Sequence, residues 1–148
     1  MARTPRVFLD SSALIAGVLS PSGGARAILV LAETEALRIV ISQQVQVECE
    51  RVLRIKAPMA LAAYQRTLQG IQLEVCSDPT PEQVTQAEQF INIDDATILA
   101  AAIGAAPDYV VSLDRKHFLQ PEVAQRTGLR IGTPGDFLAW LRERTASA

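Results

Sequence analysis

Residues 7–17, VFLDSSALIAG, change structural period within a few positions. Val7-Phe8-Leu9 is a short apolar run of the kind that forms a strand buried on both faces, and helical patterning follows from residue 11 to about 18. A single acid, Asp10, stands at the junction. A strand that passes straight into a helix is the opening of a βαβ unit, in which helices connect and cover parallel strands.

The same alternation runs along the rest of the chain. Strands are expected at 7–9, 38–41, 71–75, 109–113 and 129–131, and helices at about 11–18, 25–36, 43–56, 59–69, 81–90, 95–105 and 135–144. Thr80-Pro81-Glu82-Gln83 offers a capping box with Pro in the first turn, Thr133-Pro134 repeats the cap-plus-Pro opening, and Ser20-Pro21-Ser22-Gly23-Gly24 is a turn. The expected fold is α/β: three layers, with a central parallel sheet of about five strands flanked by helices. A length of 148 residues suits a single domain spanning 1–148.

Composition narrows the function classes. With 49% hydrophobic and 20% charged residues the chain is too apolar for disorder and too interrupted by charge for a membrane span. Fourteen basic against sixteen acidic residues give no general field for a polyanion, so nucleic acid would need a local patch. The two cysteines, Cys49 and Cys76, lack CxxC spacing and read as buried thiols. The start, Met-Ala-Arg-Thr-Pro-Arg, shows no apolar leader pattern, and a cytoplasmic location is expected.

In an open α/β sheet, ligands bind at the carboxyl ends of the strands, near the point where strand order reverses. Asp10 and Asp114 each follow a strand candidate directly. A helix preceding a parallel strand runs antiparallel to it, so the amino end of the 95–105 segment, carrying Asp94 and Asp95, reaches the same edge. Glu48 borders the stripe of Val45, Cys49, Val52 and Leu53, about 9 Å along a helix starting near Ser42, whereas Glu50 points away. Each acid also has a plainer reading: Asp10 as a helix cap, Asp94 and Asp95 as first-turn acids, Asp114 as a turn residue, Glu48 as a solvated flank. Together they are less easily explained. Two carboxylates about 5 Å apart repel by roughly 3 kcal/mol at an effective dielectric near 20, so three or four gathered together call for a counterion. An oxygen-only set suits a hard cation, Mg²⁺ or Mn²⁺.

At these residues the sequence resembles the PIN-domain ribonuclease family, in its VapC-like branch of toxin components from toxin–antitoxin pairs. VFLDSSALIAG resembles the opening strand with the first acid, Asp10, and the small polar pair Ser11 and Ser12. SQQVQVECERVL resembles the segment that supplies the family's Glu, here Glu48. DDATILAAA resembles the third motif, with Asp95 as its acid. DYVVSLDRKHF resembles the fourth, with Ser112 in its Ser/Thr position and Asp114 as its acid, and RIGTPGDFLAWL resembles the closing strand and helix. Two positions depart from the pattern: Asn92 stands where many relatives have a further Asp, and Ser12 where Asn is common.

The resemblance implies a PIN-like fold and hydrolysis of RNA phosphodiesters with Mg²⁺ or Mn²⁺. Asp10, Asp95 and Asp114 would be metal ligands, Glu48 a ligand or the group orienting the attacking water, and Ser112 and Ser12 supporting hydrogen-bond partners. It further implies an RNA substrate met by basic groups such as Arg51, Arg54, Lys56, Arg66, Arg115 and Lys116, an antitoxin partner, a homodimer and no membrane. The apolar content of the 57–68 segment, including Met59, Leu61, Tyr64 and Leu68, fits such a partner surface or simple packing on the sheet. The lone histidine, His117, lacks a Ser or Cys partner for a triad and reads as a structural or edge residue. Two other classes stay open: a PIN-fold interaction module without catalysis, and a receiver-like Mg²⁺-binding phosphoacceptor. The latter needs a lysine at a late strand end, whereas Lys116 stands beyond Asp114.

Overall fold

In the computed structural model, residues 3–146 are described. Met1 and Ala2, where the expected leader-free start begins, lie outside them. Five parallel strands, β1 (Arg6–Leu9), β2 (Arg38–Ser42), β3 (Leu73–Cys76), β4 (Tyr109–Val111) and β5 (Ile131–Gly132), form one sheet in the order β3-β2-β1-β4-β5. The register pairs Phe8 with Val40 on one side and with Val110 on the other.

Eight α-helices among the described residues connect them: α1 (Ser11–Leu19), α2 (Gly24–Glu33), α3 (Gln43–Lys56), α4 (Leu61–Gln69), α5 (Pro81–Ala87), α6 (Ile93–Ala105), α7 (Pro121–Thr127) and α8 (Pro134–Ala146). One layer holds α1 packed on α2, α3 and α4, with α8 against α2; α5 and α6 pair in another, and α6 also meets β2. This is the expected three-layer fold. Helices on both faces explain why the inner strands are apolar without alternation. Val7, Phe8, Ile39, Val40, Ile41, Val110 and Val111 are all fully buried.

The strand order reverses between β1 and β4, the two strands expected to end in acids. Several caps act as the sequence predicts. Thr80 and Gln83 exchange hydrogen bonds of 3.2 and 2.9 Å, and Thr133 and Asp136 do the same at 3.1 and 3.0 Å. Gly17 lets α1 approach α2, because a Cβ there would lie 2.6 Å from Leu29 Cδ1.

Other expectations need correction. α7 was not anticipated: its seven residues bury only Val123, too little for a helical stripe. The 71–75 and 129–131 strands move to Leu73–Cys76 and Ile131–Gly132. The 109–113 strand ends at Val111, because Ser112 and Leu113 turn to meet Asp10 and Ser12. The 59–69 segment opens with a 3-10 turn, Pro58–Ala60, before α4. Its apolar residues divide, with Tyr64 buried and Met59 95% exposed. Cys49 is buried as expected, but Cys76 is only half-buried, at the end of edge strand β3. No single helix among the described residues is long and apolar enough to cross a membrane.

Candidate active site

Asp10 leaves β1 and caps α1, its Oδ1 accepting from the Ala13 amide at 2.9 Å and from the Ser12 hydroxyl at 2.7 Å. Its Oδ2 accepts from the Ser112 hydroxyl at 2.5 Å. The expected cap is therefore present, and the same carboxylate is tied to the end of β4. Ser112, fully buried, also accepts from the Asp114 amide at 3.0 Å, and the Ser12 hydroxyl accepts from the Leu113 amide at 3.0 Å. These serine bridges fasten the carboxyl ends of β1 and β4 to each other.

Asp114 is likewise both a turn residue and part of the cluster. Its Oδ1 accepts from the Lys116 and His117 amides at 3.1 and 3.2 Å, and its Oδ2 lies 3.0 Å from His117 Nδ1. The same ring nitrogen is 3.3 Å from Asp95 Oδ2. Asp95 occupies the first turn of α6, turned partly inward, with the Asn92 side chain acting to lower its pKa, whereas Asp94 beside it is exposed. Asn92 Oδ1 is buried without a partner. At this position the amide supplies a donor that an ionised aspartate would lack.

Glu48 arrives from α3, whose first turn is capped by the Ser42 hydroxyl on the Val45 amide at 3.2 Å. It is half-buried, with Ser11 Oγ 3.4 Å from its Oε2, while Glu50 is exposed.

Ligand atoms of Asp95, Asp114 and His117 come together, and Asp10 and Glu48 stand near enough to feel the charge of these or of each other. Burial pushes the Asp10 carboxyl up from 3.8, against three hydrogen bonds that favour the charged form, and Asp114 adds to the rise. Burial also raises Glu48 from 4.5, followed by repulsion from Asp95 and, more weakly, Asp10. Burial and then Asp114 raise Asp95, with His117 opposing.

The donor chemistry fits a hard divalent cation. Carboxylate oxygens dominate, and one atom each from Asp95, Asp114 and His117 lie within 4.8 Å of one another. His117, expected in a structural or edge role, stands at the edge beside two of the acids. Its ring reaches them only because the turn after β4 folds back over the start of α6. Beside it a cavity of about 410 Å³ opens, lined by Asn92, Lys116, Gln120 and Arg126 among others. Of the expected RNA contacts, Arg51, Arg54, Lys56, Arg66, Arg115 and Lys116 are all exposed.

Known structures share this architecture. PAE2754 from Pyrobaculum aerophilum is similar with 20% identity and a TM-score of 0.63, over 96% of this chain and 92% of that one. VapBC2 from Rickettsia felis, solved bound to a DNA fragment from its promoter, is similar with 18% identity and a TM-score of 0.61, over 86% and 98%. VapC20 from Mycobacterium tuberculosis, a Sarcin-Ricin loop cleaving toxin, is similar with 16% identity and a TM-score of 0.53, over 74% and 91%. No curated protein matches the sequence. The sequence profile of the PIN domain matches residues 6–116, a span that holds all four acids and both serine bridges, and the chain belongs to the PIN domain family.

Proposed function

We propose that the chain is a metal-dependent endoribonuclease, the toxin of a toxin–antitoxin pair. The observation that carries this reading is the gathering of acids at the carboxyl edge of the sheet, where Ser112 ties Asp10 to Asp114 and one His117 ring nitrogen lies 3.0 Å from Asp114 and 3.3 Å from Asp95. Asp10, Asp95 and Asp114 would hold Mg²⁺ or Mn²⁺, and Glu48 would hold the ion or orient the attacking water. A divalent ion bound there lowers the pKa of a coordinated water and offsets charge building on the phosphoryl oxygens. Ser112 fixes Asp10 relative to Asp114, and Ser12 keeps the Asp10 carboxylate turned to the site. Lys116, exposed on the adjoining cavity, would meet RNA phosphates.

Family membership supports the nuclease assignment. The shared fold of VapBC2 and VapC20 is consistent with a toxin role in a soluble, cytoplasmic protein. We read the molecule as a homodimer that also binds an antitoxin, whose Arg or Lys would enter among the acids in place of the metal. Val47, Ile55 and Met59, 57%, 70% and 95% exposed, offer apolar surface for such contacts.

The test is cleavage of a mixed RNA substrate by the full chain with Mn²⁺, with and without chelator, alongside Asp10→Asn. Cleavage that needs metal and is lost in the variant supports the reading. A metal-loaded, folded chain that leaves RNA intact would favour a PIN-fold interaction module.

A further inference from the structure

His117 is the only histidine in the chain, and its Nδ1 faces two carboxylates, 3.0 Å from Asp114 Oδ2 and 3.3 Å from Asp95 Oδ2. Ionised carboxylates only accept hydrogen bonds, so three electron-rich atoms converging this closely need a proton or a cation between them. A hydrogen on Nδ1 would fill that place in one tautomer of the ring, and a cation would fill it in the other. The ring is held there from both sides in sequence. The Lys116 and His117 amides close a turn on Asp114 Oδ1, and the next residue, Phe118, is buried to 2% exposure in the core. The imidazole itself remains 41% exposed and faces the acids rather than the interior.

We propose that His117 is a direct metal ligand through Nδ1, completing with Asp95 and Asp114 a mixed nitrogen and oxygen set. The inference rests on the metal-centre reading above and assigns it a donor beyond the four acids. With a cation on Nδ1, the neutral ring would carry its proton on Nε2. Imidazole favours transition-metal ions over Mg²⁺, whereas carboxylates accept Mg²⁺ and Mn²⁺ alike, so the nitrogen tilts the centre toward Mn²⁺.

The probe is Mn²⁺ alone, titrated into the full chain and followed by pulsed electron paramagnetic resonance. Because the chain has one histidine, protein labelled with ¹⁵N only in histidine reports His117 without any substitution. The expected result is a directly bound nitrogen coupling in unlabelled protein that converts to the ¹⁵N pattern on labelling and disappears in His117→Ala. Mn²⁺ affinity in that variant is expected to fall by about tenfold or more, with Mg²⁺ affinity, measured by competition, falling less. A histidine that only steadies Asp114 would give bound Mn²⁺ without nitrogen coupling and would weaken both ions equally; that outcome overturns the proposal and leaves the metal centre standing. Failure of Mn²⁺ to bind, or binding unaffected by Asp95→Asn and Asp114→Asn, overturns the metal-centre reading and this inference with it.

Discussion

The Ser112 hydroxyl lies 2.5 Å from Asp10 Oδ2, across the point where strand order reverses, and the same oxygen accepts from the Asp114 amide at 3.0 Å. One buried side chain therefore sets the relation between two acids that are 104 positions apart in the sequence. Ser112→Ala would strip a partner from the buried Asp10 carboxylate and leave the Asp114 amide unmatched. The expected cost is about 1–3 kcal/mol of unfolding free energy, read from urea titrations, together with weaker Mn²⁺ binding. Unchanged stability would mean that water replaces the hydroxyl without loss.

Asp10→Asn should preserve the fold. The amide oxygen can still accept from Ser12 and Ala13, and the amide nitrogen can donate to Ser112, whose hydroxyl has a free rotor. Cleavage of RNA is expected to vanish, while the metal-free variant is at least as stable as the parent at neutral pH. Lower stability would show that the lost hydrogen bond outweighs the relieved burial and repulsion.

The metal-free protein should also carry a pH signature. Asp10, Glu48 and Asp95 have folded pKa values above their ordinary 3.8, 4.5 and 3.8, so in that window the folded chain binds more protons than the unfolded one. Their contribution to stability is therefore present below the ordinary values and is lost as pH rises through the folded ones. Glu74, held low by Arg6 at 2.6 Å, acts in the opposite sense, its stabilisation being lost as pH falls through its folded pKa. The difference in unfolding free energy between Asp10→Asn and the parent, with chelator present, should grow in the variant's favour as pH rises from about 4. A difference independent of pH would contradict the assignment.

Neighbouring acids on α6 should behave differently. Asp95→Asn is expected to lower cleavage by at least about 100-fold, and Asp94→Asn to change it by less than about twofold, since Asp94 is exposed. Equal losses in steady-state assays would place both side chains in the site.

Much of this was legible because the signals are local. The junction of Leu9 with Asp10 and the run ending near Asp114 mark strand ends, and Thr80 and Thr133 carry their caps within three residues. What escaped was decided by distant parts of the chain. His117 meets Asp114 through a local turn three residues long, but it reaches Asp95 only because that turn sets the β4 end against α6, and no spacing along the sequence encodes that approach. Asn92, which appears as a missing acid in the sequence, is in three dimensions a neutral side chain that favours the charged form of Asp95. Strand lengths at β4 and β5 depend on where Ser112 and Gly132 pair, and α7 buries a single apolar residue.

The cysteines offer an independent check on the packing around the site. Burial, reinforced by Glu48, pushes the Cys49 thiol up to about 12, whereas Cys76 is half-buried at the sheet edge. A thiol reagent at pH 8 should modify Cys76 in the native protein and Cys49 only after unfolding. Rapid native labelling of Cys49 would mean that α3, and Glu48 with it, is less firmly seated than described.

Diffraction from crystals grown with Mn²⁺, collected to exploit its anomalous signal, tests the metal centre most directly. The account predicts a peak bound by Asp10, Asp95 and Asp114 at the carboxyl edge of the sheet, absent in crystals of Asp10→Asn. A peak elsewhere, or an empty acid cluster in a protein that still cleaves RNA, would contradict it.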